Sequence, residues 1–99
     1  MKALTFDGVG KIKVLDKEIP KPEKATDAVL KMVRTTICGT DLHIIRGDVP
    51  AVTQGRTLGH EGIGVVEEVG SEVKKFKRGD RVLIAAIASC GTCGFCKRR

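Results

Sequence analysis

The sequence predicts a mainly β fold of many short strands joined by tight turns. Apolar and polar residues alternate over several short segments, and 12 glycines with repeated valines favour strands and turns over long helices. With only three aromatics, all Phe, the core is expected to be built from Val, Ile, Leu and Ala. The 99 residues allow one small domain, 1–99, burying about 65% of the unfolded chain's surface.

Lys2 to Phe6 is a short strand and Asp7-Gly8-Val9-Gly10 a turn. Lys11 to Glu18 alternates as Lys-Ile-Lys-Val and should return as the second arm of a hairpin. Ile19-Pro20-Lys21-Pro22 reads as an extended connector, because proline has no N–H to give to a ladder. Asp27 to Thr36 reads as a buried strand, with apolar groups on both faces around Lys31. Leu42, Ile44 and Ile45 fit one short helical turn with Thr40 or Asp41 as its N-cap. Gly47, Pro50 and Gly55 punctuate a long loop, of the kind that often carries function.

The stretch Leu58 to Gly70 organises the rest. It should tighten at Gly59, present His60 and Glu61, and continue as a strand over Ile63 to Val69. Glycines at 62 and 64 remove side chains where another backbone or a bound group comes close. Gly70-Ser71-Glu72 turns the chain, Phe76 is expected to pack a loop against the core, and Arg81 to Ala88 forms a further apolar strand. After Ser89 the composition switches to Cys and Gly, and the ending at Arg99 suggests an incomplete piece.

The net charge of +6 raises the question of an acidic partner. Its two concentrations, Lys74-Lys75-Phe76-Lys77-Arg78 and Lys97-Arg98-Arg99, read as solvated faces, since stacking on bases needs more aromatics than this. We therefore expect no nucleic-acid partner. No apolar run approaches the ~20 residues that span a bilayer, so no membrane role is expected. Cysteines in metal-like spacing point to a reducing cytoplasm.

Cys90-Gly91-Thr92-Cys93-Gly94-Phe95-Cys96 gives Cys-x2-Cys-x2-Cys. Zinc takes four ligands in a tetrahedron, and two-residue spacings let successive thiolates reach one ion. Three thiolates are one short. A 4Fe-4S cluster, a redox pair at Cys90 and Cys93, and plain unliganded thiols remain open readings. Cys38 and His60, with Glu61, form a second constellation: a catalytic zinc takes three protein ligands and keeps a position for substrate. Singly, Cys38 reads as an inert thiol and His60 as a hydrogen-bonded imidazole. Together, and beside Gly59 and Glu61, they favour a metal. Thr40 and His43 read either as a cap and a surface imidazole, or as a hydroxyl and a ring that hand a proton away from the metal's ligand.

These residues carry a resemblance. Gly59-His60-Glu61-x2-Gly64-x5-Gly70-x2-Val73, Cys38-Gly39-Thr40-Asp41-x-His43, Gly79-Asp80-Arg81-Val82 and the cysteine run are together similar to the N-terminal part of the zinc-dependent, medium-chain alcohol dehydrogenases. The resemblance runs over essentially the whole chain. It implies a GroES-like, partly open β-barrel with short helical turns and a Cys-rich lobe at the C-terminal end, followed in the family by a Rossmann domain that binds NAD(P). It implies Cys38 and His60 as catalytic zinc ligands, with Glu61 as an acid that exchanges in and out of the coordination. It makes Thr40 the acceptor of the alcohol's proton, His43 a later station, and Cys90, Cys93 and Cys96 three ligands of a structural zinc. The substrate class implied is an alcohol with its aldehyde or ketone, and the full-length protein is expected to be a homo-oligomer.

Three parts of the family pattern fall outside these residues: the fourth structural cysteine, a third catalytic ligand and the Gly-rich dinucleotide fingerprint. Gly8-Val9-Gly10 does not supply the last, as it opens no helix. The isolated chain is accordingly expected to be inactive. The competing readings are a stand-alone GroES-like structural or oligomerising module and a small zinc-bound nucleic-acid module.

Overall fold

The computed structural model describes residues 1–98. Arg99, the last of the C-terminal basic cluster, lies outside them. Two antiparallel sheets carry the fold, one of two strands and one of three. The first is the expected hairpin: β1 (Lys2–Gly8) pairs with β2 (Lys11–Asp16) through the turn at Val9 and Gly10. Gly10 sits at φ 72, a left-handed conformation that glycine adopts without a Cβ clash. β2 ends two residues before the expected Glu18, ahead of the Pro20 connector.

The second sheet has the order β3-β4-β5, from β3 (Ala28–Thr35), β4 (Gly62–Val69) and β5 (Arg81–Ile84). The register pairs Thr35 with Gly62 and Ala28 with Val69, with irregularities after Val29 and Met32. The two glycines of β4 fulfil the expectation made for them. A Cβ on Gly62 would stand 2.6 Å from the Arg34 carbonyl oxygen, and one on Gly64 would stand 3.2 Å from that of Lys31. Close approach to β3 therefore requires glycine at 62, and at 64 the fit leaves little room.

Three expectations fail. β3 is a strand but not a buried one: none of its residues is fully enclosed, and Met32 is 50% exposed. Apolar groups on both faces suggested burial, but no layer among the described residues covers either face completely. β5 stops at Ile84, four residues short of Ala88, where the chain bends toward the Cys-rich segment. Phe76 remains about half exposed, so it seals little of the core.

The enclosed core is small. Ala3, Phe6 and Val66 are its buried apolar residues, with Thr5 and Asp41 as buried polar ones. Phe6 thus joins the aliphatic set expected from composition. Thr5 is satisfied by donating from Oγ1 to the Lys13 carbonyl at 2.9 Å. β1 also holds the strip that leads to His60: Gly55 N–H donates to Phe6 O (2.8 Å), Phe6 N–H to Arg56 O (2.9 Å) and Leu58 N–H to Leu4 O (2.9 Å). Lys17 Nζ adds a bond to Gly55 O at 2.6 Å.

Two short helices complete the elements, α1 (Gly39–Arg46) and α2 (Gly94–Lys97). Among the described residues no helix is long and apolar enough to cross a membrane.

Gly70 is the tightest glycine, because a Cβ there would collide with the Ala25 carbonyl and stand 2.7 Å from Lys24 O. Gly70→Ala is expected to lower the unfolding free energy by about 1–3 kcal/mol. Gly39→Ala, in open space on the first turn of α1, is expected to change it by less than about 1 kcal/mol. Urea denaturation of both variants checks the pair.

Candidate metal centre

α1 begins with an unusual cap. Cys38, in an extended conformation, is the N-cap, so the expected Thr40 or Asp41 lies inside the helix instead. The Cys38 sulfur accepts the Thr40 N–H at 3.3 Å, and the Asp41 Oδ2 accepts the Cys38 N–H at 3.0 Å. This reciprocal box satisfies two backbone donors that a helix start leaves open. It also locks the Cys38 side chain against the helix end. The helix runs eight residues, longer than the single turn expected, and stops at Gly47 in the left-handed conformation.

From the other side, Gly59 (φ 103) turns the chain and Thr35 Oγ1 donates to the Glu61 carbonyl at 2.8 Å. His60 is thereby carried against α1. Its Nε2 lies 2.9 Å from the Cys38 sulfur, and its Nδ1 lies 3.5 Å from Asp41 Oδ1. Glu61 Oε1 is 3.9 Å from the same Nε2, on the sulfur side of the ring. The ligand atoms of Cys38, Asp41 and His60 all fall within 4.8 Å of one another.

Hydrogen bonds and neighbouring charges shift both members of the pair. Hydrogen bonding from Thr40, side chain and then backbone, holds the Cys38 thiol below the usual cysteine range, and contact with His60 adds to it. The same contact with Cys38 raises His60, with the charges of Asp41 and Glu61 reinforcing it. The two shifts move the thiol and the imidazole in opposite directions through one mutual contact. Zinc at its ordinary bond lengths would hold sulfur and nitrogen about 3.5 Å apart, so the pair needs to open only slightly. Asp41 Oδ1 is buried and has no hydrogen-bond partner among the described residues. It would gain one if Nε2 bound a metal and the ring proton sat on Nδ1, the arrangement in which a carboxylate orients a ligating histidine.

Cys90, Cys93 and Cys96 also converge, on the loop before α2 and on α2 itself. Cys96 Sγ lies 3.5 Å from Cys93 Sγ and 3.9 Å from Cys90 Sγ. Thiolates sharing one tetrahedral zinc stand about 3.8 Å apart, so these separations suit the ion. Hydrogen bonding from the backbone and side chain of Thr92 and from Cys93 pulls the Cys90 thiol down to about 6, which favours the thiolate that a metal binds.

Of the residues singled out from sequence, Cys38 and His60 thus meet at one place with Glu61 beside the ring, and the three C-terminal cysteines meet at another. Thr40 and His43 lie on α1, exposed, and three residues apart on one helical face. The His43 Nδ1 is 2.8 Å from Asp48 Oδ2. Sequence reasoning missed Asp41 as anything but a cap. The available signal was its place three residues after Cys38, where a capping-box acid stands.

Asp41→Ala removes both the cap and the carboxylate behind His60. It is expected to weaken zinc binding by about 10–100-fold, measured by competition with a chromophoric chelator.

Residues 24–99 match the alcohol dehydrogenase GroES-like domain. The zinc-type alcohol dehydrogenase-like protein AdhB of Bacillus subtilis strain 168 is 48% identical over 99 residues, covering 100% of this chain and 26% of that protein. Among solved structures, the apo form of zinc dependent alcohol dehydrogenase 2 from Streptococcus pneumoniae superposes with a TM-score of 0.94 at 54% identity, covering 98% of this chain and 28% of that one. A zinc-binding dehydrogenase from Sinorhizobium meliloti 1021, bound to NADP, gives a TM-score of 0.75 at 37% identity, covering 96% and 27%. The chain spans about a quarter of the length of the relatives it matches. The expected mainly β, GroES-like architecture is what these structures share with it, and the chain belongs to the alcohol dehydrogenase GroES-like domain family.

Proposed function

We propose that this chain is the catalytic-domain part of a zinc-dependent oxidoreductase that transfers hydride between an alcohol and NAD(P). The observation that carries the reading is the meeting of the Cys38 sulfur and His60 Nε2 at 2.9 Å, with Asp41 Oδ1, which has no hydrogen-bond partner among the described residues, behind the ring. Cys38 and His60 would hold the catalytic zinc, with Glu61 as the exchanging acid. Cys90, Cys93 and Cys96 would hold the structural one.

Bound zinc supplies Lewis acidity, which lowers the pKa of a substrate hydroxyl toward neutrality. The chain's own residues do the rest. Asp41 fixes the tautomer and orientation of His60. Thr40, whose hydroxyl can both accept and donate, takes the proton of the alcohol. His43, on the same helical face, receives it and stands open to solvent. A nicotinamide held outside these residues would supply the hydride acceptor; a relative 37% identical to this chain is bound to NADP.

The substrate class is a small alcohol with its aldehyde or ketone. Ligand-like spacing of thiols suits a reducing cytoplasm. Exposed Leu83, Ile87 and Phe95, each about four-fifths open to solvent, support burial against the rest of a longer, homo-oligomeric protein. The 99 residues alone are inactive in this reading. Exposed Lys74, Lys75, Lys77 and Arg78 form a solvated face and not a nucleic-acid surface.

Elemental analysis and turnover test the reading together. The full-length protein is expected to bind zinc and to oxidise alcohols with NAD(P). Cys38→Ser should abolish turnover and remove one zinc, while Cys93→Ser should remove a different one. An enzyme fully active with no metal after chelation, or turnover by the 99-residue chain alone, would refute it.

A further inference from the structure

We propose that Asp48 is a positioning residue for His43, holding its ring in the Nδ1–H tautomer with Nε2 presented as a proton acceptor. Two contacts tie these residues together. Gly47, at φ 89, folds the chain back at the end of α1, and the Asp48 N–H then donates to the His43 carbonyl at 3.0 Å. The same fold brings Asp48 Oδ2 to 2.8 Å from His43 Nδ1. An ionised carboxylate only accepts hydrogen bonds, so it selects the proton on Nδ1, and in the neutral ring Nε2 then keeps its lone pair.

Helix stability gives no reason for an acid at this place. The C-terminal end of a helix carries partial negative charge, and a carboxylate just beyond it is unfavourable. The helix end is already closed by Gly47, whose N–H donates to Ile44 O at 3.0 Å. What the Asp48 side chain contacts is the imidazole. A histidine exposed on a helix would otherwise sample both tautomers and several rotamers. Anchored at Nδ1, it offers one nitrogen in one direction, on the face it shares with Thr40.

The inference rests on the proposed relay from Thr40 to His43, and the test separates the two. In the zinc-loaded full-length protein, nitrogen NMR of the His43 ring, assigned with His43→Gln, is expected to show the Nδ1–H form at alkaline pH. Asp48→Ala should shift the ring toward Nε2–H and lower kcat for alcohol oxidation about tenfold, with KM within about twofold. Asp48→Asn, whose amide oxygen accepts the same bond, should restore most of the kcat. A wild-type ring in the Nε2–H form, or an Asp48→Ala variant with unchanged kcat, overturns the inference. If His43→Gln keeps wild-type kcat, the relay itself fails and the inference falls with it. If His43→Gln loses kcat while Asp48→Ala does not, only the inference falls.

Discussion

Antiparallel pairing of β3 with β4 is the constraint on which the site depends. Thr35 opposite Gly62 leaves two chain ends at the same edge of one sheet, one leading to Cys38 and the other arriving from His60. The two residues are 22 apart in sequence. A slip of one residue would turn every side chain of β4 to the other face and carry His60 with it. The glycines of β4 enforce the pairing from within, since larger residues there meet the β3 backbone.

Asp41 connects this arrangement to α1. One carboxylate oxygen takes the backbone N–H of Cys38, and the other faces the ring of His60. A single side chain thus refers both candidate ligands to the same helix turn. The sulfur, for its part, accepts the Thr40 N–H that the helix start leaves open. The groups that cap the helix are therefore the same groups that face the imidazole.

Much of this was legible in the residues, and the failures have physical reasons. Gly59-His60-Glu61 announced a turn that presents an imidazole and a carboxylate, because a glycine before a β-patterned run marks where the chain can tighten. The spacing of Cys90, Cys93 and Cys96 likewise carried its own geometry, since two-residue intervals with glycines bring sulfurs together locally. Burial was read less well. The β3 residues Val29, Leu30 and Val33 are apolar on both faces, yet they stay half-exposed. Covering layers are a tertiary property that no local pattern contains. The Cys38 cap was missed because sulfur is a weak acceptor and better capping side chains stand two and three residues on. That Asp41 also faces His60 required the fold to bring together segments that local spacing does not relate.

The hairpin of β1 and β2 lies outside the segment that matches the family domain, which begins at residue 24. It nevertheless acts as a splint. Leu4 and Phe6 grip residues 55 to 58 by main-chain bonds, and Thr5 bridges to Thr57. Those residues end where Gly59 turns toward the imidazole. The chain's first strand therefore holds the approach to a group more than fifty positions later, and loosening it would let the ring drift without touching either candidate ligand.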